Sequence, residues 1–192
     1  MGTLTVTEFI SVDGVIDSPG GEPGYRHAGW TFDIDPDPAV YGAVDEAYAG
    51  ITGLVLGRVT YDGFAAAWPP REDADGQDAE FAVRLGDLPK YVVSSTLTNP
   101  TWRNTTVLSS VNQVAELKAD SGPLLLAGSG ALARDLHKAG LVDRWHLLVF
   151  PVVLGSGKRL FPTDAQDKQK LTLTDQRTFT NGVQLQVLDA VR

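Results

Sequence analysis

Two segments of the chain could hold a phosphate. Gly57-Arg58-Val59-Thr60-Tyr61 and Gly128-Ser129-Gly130-Ala131-Leu132 each follow a short apolar run, Leu54-Val55-Leu56 and Leu124-Leu125-Leu126-Ala127. Glycine at such a point lets backbone approach a ligand closely, and the helix that follows opens with unpaired N–H groups that favour an anion. Arg58 could add a guanidinium, and Thr60 or Ser129 a hydroxyl. Any strand-to-helix turn can equally use glycine just to reverse direction. Residues 128–133, Gly-Ser-Gly-Ala-Leu-Ala, also match the dinucleotide fingerprint G-x-G-x-x-A. A doubly wound nucleotide domain would place that turn early and follow it with further βα units, which this chain lacks.

Among the acids, Asp13 stands in Ser11-Val12-Asp13-Gly14 at the end of the first apolar run, where Asp-Gly is also a common turn pair. Asp45 lies about 40° around a helix from Tyr41, at the margin of its apolar face, so it could enter a cleft or stay solvated. Asp33 and Asp35 share a proline-broken loop with Trp30 and Phe32. The three histidines, His27, His137 and His146, are scattered, and cysteine is absent, so disulfides, thiolate metal sites and a cysteine nucleophile are excluded. No metal is expected. With 16 basic against 24 acidic residues, the formal charge of −8 argues against a nucleic-acid footprint. No apolar run is long enough to span a bilayer, and the opening Met1 to Val6 reads as a strand rather than a secretory signal, so a cytoplasmic protein is expected.

The elements that must position these residues follow from periodicity. Thr3 to Ile10 alternates polar and apolar side chains as a strand does, and residues 17–38 form a long loop with Trp30 and Phe32 as apolar anchors. Helices are expected from Pro38 to Gly50, at Phe64 to Ala67, around Ala79 to Leu85, from Val111 to Ala119, and through Leu132, Leu136 and Lys138 to Gly140. Strands are expected at Leu54 to Leu56, Lys90 to Ser95, Thr105 to Leu108 and Pro123 to Ala127, then Trp145 to Leu154, Leu171 to Thr174 and Val183 to Leu188. His146 is expected on the outer or dimer-facing side of its strand. The early βα repetition and the helix-free tail predict one domain over residues 1–192, a mixed, mostly parallel sheet with antiparallel C-terminal strands.

Five segments in this order carry a resemblance: Ser11 to Gly14; Leu56 to Tyr61; Pro89-Lys90-Tyr91-Val92-Val93-Ser94-Ser95-Thr96-Leu97; Ala127 to Leu132; and Leu141-Val142-Asp143 with Pro151 to Gly157 and Leu160-Phe161. Together they resemble the dihydrofolate-reductase-like family that includes the C-terminal reductase domain of the bifunctional riboflavin biosynthesis deaminase-reductase. The resemblance implies a three-layer α/β/α fold, bound NADPH and a homodimer. It places Gly57, Arg58, Val59 and Thr60, with Gly128, Ser129, Gly130, Ala131 and Leu132, near the pyrophosphate. Ser94, Ser95 and Thr96 fall near the adenosine ribose and its 2′-phosphate. It sets Asp13 at the wall between nicotinamide and substrate. Asp45, from its place on the helix, is a further catalytic candidate, and Trp30 and Phe32 of the long loop are candidate substrate contacts. Asp33 and Asp35 stand at about the distance before Gly57 where dihydrofolate reductases carry a pteridine-binding carboxylate.

Two departures bear on substrate. The riboflavin subgroup carries lysine where this chain has Val15 and glutamate where it has Leu126. Both changes remove polar groups that would meet a phosphoribosyl substrate. The nominal expectation is a 5-amino-6-(5-phosphoribosylamino)uracil reductase. A dihydrofolate or pterin reductase and a non-catalytic NADPH-binding protein are the alternatives.

Overall fold

In the computed structural model, which describes residues 2–161 and 168–191, an eight-stranded sheet is sandwiched between two layers of helices. The strands are β1 (Leu4–Ser11), β2 (Gly53–Gly57), β3 (Lys90–Val93), β4 (Thr105–Leu108), β5 (Leu124–Ala127), β6 (Arg144–Phe150), β7 (Leu171–Thr178) and β8 (Gln184–Ala190). The helices are α1 (Pro38–Ala47), α2 (Arg58–Ala67), α3 (Gln77–Asp87), α4 (Val111–Asp120) and α5 (Gly130–Lys138). The spatial order is β4-β3-β2-β5-β1-β6-β8-β7. The first six run parallel; β8 is antiparallel to β6 and β7 to β8. This is the expected three-layer α/β/α fold with a mostly parallel sheet and an antiparallel C-terminal addition.

Strand alternation sorts the core into two faces. Leu124 and Leu126 pack with Leu4, Val6, Val55 and Trp145 beneath Val114 of α4 and Leu132, Ala133 and Leu136 of α5. Leu125 and Ala127 face the other way, with Leu54 and Leu56, against Tyr61 of α2, Leu85 of α3 and Tyr48. Farther along that second face, Leu148 and Phe150 meet Val40 and Ala43 of α1 and the buried Trp30. Strands buried on both faces read as continuous apolar runs, which is why Leu54-Val55-Leu56 and Leu124 to Leu126 show no alternation.

The structure alters three sequence expectations. Helix α2 begins directly at Arg58, six residues before the apolar run at Phe64, because Gly57 is its N-cap and the first turn is free to be polar. Strand β6 stops at Phe150, since Pro151 has no N–H to donate to the ladder. His146 is not on an outer side: it is buried beside Leu148, with Nδ1 3.1 Å from the Thr7 hydroxyl on the neighbouring strand. Burial lowers its pKa, as it does for His137, which lies edge-on to Trp145 and Phe161.

One buried cation secures the α3–β3 corner. Lys90, fully buried, donates to the carbonyls of Leu85, Gly86 and Leu88 at 2.7–2.9 Å and lies 4.3 Å from the centre of the Trp102 ring. It thereby satisfies the carbonyls that α3 leaves open at its end.

Candidate functional site

The two glycine turns meet. The helices after β1 and β2 pack on one face of the sheet while α5, after β5, packs on the other, so the chain ends of these three neighbours part in opposite directions. Such a split at the carboxyl edge of parallel strands leaves a crevice. Gly128 and Ser129 both adopt φ of +61°, a left-handed pair that turns the chain sharply off β5. The Gly57 N–H donates to Ser129 Oγ at 2.8 Å, joining the two turns. A β-carbon at Gly57 would stand 3.3 Å from Ser129 Oγ, and one at Gly128 would stand 3.5 Å from the Thr60 methyl. The turns are therefore in contact, with both glycines on the inside.

Helices α2 and α5 start at this crevice. Neither has a side-chain cap at its N-terminus or an acid in its first turn. Their leading N–H groups and partial positive charge are thus uncompensated by the protein, as an anion site requires. Val59 and Ala131 are exposed on these first turns, and Leu132 is buried in the core. Arg58 presents a 39% exposed guanidinium whose Nε bonds both oxygens of Asp62 at 2.7–2.9 Å. Because Gly57 opposes Val93 across the β2–β3 ladder, Arg58 and Ser94 leave the sheet side by side. Ser94 Oγ accepts the Thr96 and Leu97 N–H groups at 3.2 and 3.1 Å, forming a tight turn that leaves Ser95 and Thr96 exposed beyond it.

The loop after β1 is organised by Asp13. Its carboxylate accepts bonds from the Ser11 hydroxyl at 2.7 Å and from the Leu154 and Gly155 N–H groups at 3.1 and 2.9 Å, with Arg159 Nη2 at 3.5 Å. Burial alone would raise its pKa, but these bonds outweigh it and hold the group at about 2. Asp13 is therefore ionised at physiological pH and ties the loop to the segment after β6; it has no proton to give. Gly155-Ser156-Gly157 forms the other half of this clasp, with Tyr25 Oη donating to the Ser156 carbonyl at 2.6 Å. Ile16, farther along the loop, lies directly against the Gly130 α-carbon and covers the start of α5.

Other predicted residues lie elsewhere. Helix α1 descends from the carboxyl edge of β1 towards the amino edge of β2, so Asp45, in its last turn, is at the far end from the glycine turns and pairs with Arg84 of α3 at 2.8 Å. Its helical face was compatible with a cleft, but its depth along the helix is not. Trp30 is a core anchor, 1% exposed, donating Nε1–H to the Asp17 carbonyl at 2.9 Å and lying edge-on to Phe150. Phe32 is 71% exposed, and Asp33 and Asp35 are solvated. The buried acid of that loop is Asp37, which caps α1 through Ala39 N–H at 2.9 Å and accepts the Thr180 hydroxyl at 2.6 Å. His27 accepts a 2.7 Å bond from Arg26 Nε in the same loop.

Sequence reasoning passed over Glu8. By alternation it shares the face of Leu4, Val6 and Ile10, it is 6% exposed, and its Oε1 is buried without a hydrogen-bond partner. Ladder pairing between β1 and β5 ends one residue earlier, at Thr7 and Ala127, and the Gly128 N–H then bonds the Thr7 carbonyl at 3.2 Å. Glu8 thus stands where the two strands part. Burial drives its pKa up to about 8 against the opposing charge of Arg134 on α5, so the acid is largely neutral at pH 7. The available signal was one carboxylate at an inward position of an alternating strand.

Beside the crevice, on the α5 side of β1, β6 and β8, lies an open depression of about 520 Å³ floored by Ile10, Leu147 and Val149 and edged by Gln184 and Gln186. Among the described residues no group of three or more metal-ligating side chains is placed to hold an ion, and no helix is long and apolar enough to cross a membrane.

Comparison with known proteins agrees with this architecture. The structure of a putative riboflavin biosynthesis protein from Shewanella sp. PV-4 superposes with a TM-score of 0.73 at 20% identity, over 99% of both chains. Acinetobacter baumannii RibD superposes with a TM-score of 0.66 at 13% identity, this chain covering 59% of it. In sequence, the uncharacterized protein YyaP of Bacillus subtilis (strain 168) is 30% identical over 179 residues, 91% of this chain and 87% of YyaP. The uncharacterized protein YwjB of the same organism is 36% identical over 77 residues, 40% of this chain and 44% of YwjB. The profile of the RibD C-terminal domain matches residues 2–185, and the chain belongs to that family.

Proposed function

We propose that the chain is an NADPH-dependent reductase of a small heterocyclic substrate, nominally 5-amino-6-(5-phosphoribosylamino)uracil, with the cofactor lying across the carboxyl ends of β3, β2, β5 and β1. The observation that carries this reading is the Gly57 N–H to Ser129 Oγ bond, which joins two uncapped helix N-termini into one cradle beside Arg58 and Ser94. The cradle fits a dinucleotide. A side chain at Gly57 would crowd Ser129, the left-handed φ of Gly128 disfavours one there, and first-turn N–H groups from two helices can receive two phosphates. Arg58, Ser95 and Thr96 stand where a 2′-phosphate would be read.

When bound, the cofactor supplies the hydride. The protein's part is to bind, orient and exclude water. Residues 57–60 and 128–132 would hold the pyrophosphate. Ionised Asp13 fixes the β1 loop, so that Ile16 keeps an apolar cover over the crevice. Glu8 is the neutral acid available at the strand split, whereas Asp13 is not.

Val15 and Leu126 are both fully buried and apolar, which favours a substrate recognised without lysine or glutamate at those points, such as a pterin. We assign the homodimer contact to the side of the sheet carrying β7, an edge strand exposed along nearly its whole length, with Leu173 apolar and exposed on it.

Purified protein is to be titrated with NADPH and NADH while its thermal stability is followed, then tested for absorbance loss with pyrimidine, pterin and carbonyl substrates. Stabilisation by NADPH and its oxidation by a heterocycle are expected. Stabilisation without any oxidation would point to a cofactor-binding protein without turnover, and no stabilisation would overturn the reading.

A further inference from the structure

A buried carboxyl with one oxygen left unpartnered is an unfavourable feature unless something completes it. Glu8 is 6% exposed, yet it lies where β1 and β5 separate, one residue past their last paired positions and beside the left-handed Gly128-Ser129 pair. The apolar residues Leu4, Val6 and Ile10 share its face of β1, and its partner on β6 is Leu147. The charge that acts on it is Arg134 from α5, whose Nη1 is engaged with the Arg159 carbonyl at 2.9 Å, and the charge of Glu8 in turn reaches Tyr48 after α1. Neither hydrogen-bonds the carboxyl oxygen that is left over.

A neutral carboxylic acid offers one O–H donor and one carbonyl acceptor in a single plane. The complementary group is a primary carboxamide, which presents an acceptor and a donor at matching spacing. An anionic group could take the O–H but would leave the acceptor Oε1 unfilled, whereas a carboxamide fills both positions. Building on the cofactor reading above, we propose that Glu8 recognises the carboxamide of the nicotinamide ring, giving its O–H to the amide oxygen and accepting an amide N–H on the orphaned Oε1.

The raised pKa makes this recognition pH-sensitive in a defined direction. Glu8 is protonated below about pH 8 and ionised above it. An ionised carboxylate keeps the acceptor and loses the donor, so binding should weaken as pH rises past that point.

The test is calorimetric titration of NADPH from pH 7.0 to 9.5 into wild type, Glu8→Gln and Glu8→Leu. Wild-type affinity is expected to fall above pH 8, by at most ~10-fold per pH unit for loss of one proton. Glu8→Gln, which keeps a donor and an acceptor, should bind within ~3-fold of wild type at pH 7 without that fall, and Glu8→Leu should bind ~10-fold more weakly, the loss of two ordinary hydrogen bonds. The Gln variant also separates Glu8 from Lys90, whose pKa burial lowers to about 8 as well. Infrared difference spectra on NADPH addition should show a shifted carbonyl band of a protonated carboxylic acid that is missing in Glu8→Gln. Equal pH dependence in wild type and Glu8→Gln, or a carboxylic band untouched by NADPH, would overturn the proposal and leave the cofactor reading standing. Failure of wild type to bind NADPH at any pH would overturn both.

Discussion

Replacing Glu8 by glutamine should change how stability depends on pH, in a direction and window set by the burial of this one group. In the unfolded chain a glutamate titrates near 4.5, whereas in the fold Glu8 titrates at about 8. Between those values the folded protein holds a proton that the unfolded chain has released. Stability is thus fully present below pH 4.5 and falls as pH rises, levelling off above about 8. The displacement from 4.5 to 8 corresponds to ~5 kcal/mol, an upper figure because water entry and relaxation of Arg134 would lessen it. Glutamine has no proton to lose, and every other titrating group is common to both proteins. The difference in unfolding free energy between Glu8→Gln and wild type therefore isolates Glu8. Urea denaturation at half-unit steps from pH 5 to 8.5 should show the variant gaining on wild type by several kcal/mol, with no further gain above pH 8.5. A difference that stays constant across this range would refute the reasoning.

Ser129→Ala removes the acceptor of the Gly57 N–H and should destabilise by ~1–2 kcal/mol in urea melts while weakening NADPH binding. Lys90→Met strips three carbonyls of their cation and should lose ~2–4 kcal/mol with little effect on cofactor affinity at pH 7. Asp13→Asn should lower the melting temperature at pH 7 but not near pH 2. The wild-type carboxylate's contribution is present above its unfolded pKa of 3.8 and is lost as pH falls through about 2. Arg58→Ala should cost less than ~0.5 kcal/mol of stability, since its exposed pair with Asp62 contributes little, yet bring NADPH affinity down towards that for NADH.

The frame was legible because it is written locally. Strand alternation, glycine after apolar runs and the helix-free tail each depend on a few adjacent residues, and they place β1, β2, β5 and both turns near where the structure has them. The site depended on distances that no local pattern encodes. Asp13 reads as a turn acid, but the N–H groups that make it a permanent anion lie at Leu154 and Gly155, 141 and 142 positions away. Asp45 was read from its place around the helix, yet periodicity says nothing of which end of α1 meets the crevice. Trp30, read both as an apolar anchor of its loop and as a substrate contact, lies in the core against Phe150, as a loop of that length requires. Glu8 was readable from its inward position, but local pattern shows neither the packing of α5 that buries it nor the ending of β5 one residue earlier that sets it at the crevice.

The joined turns at Gly57 and Ser129 are proposed to form an NADPH cradle. Its most direct test is equilibrium titration of wild type and Ser129→Ala with NADPH and with NADH at pH 7. Saturable binding of NADPH, weaker binding of NADH and a several-fold loss of NADPH affinity in the variant are expected, because turns no longer joined by the Gly57 N–H to Ser129 Oγ bond must be ordered on binding. Absence of NADPH binding by wild type, or binding indifferent to Ser129, would contradict it.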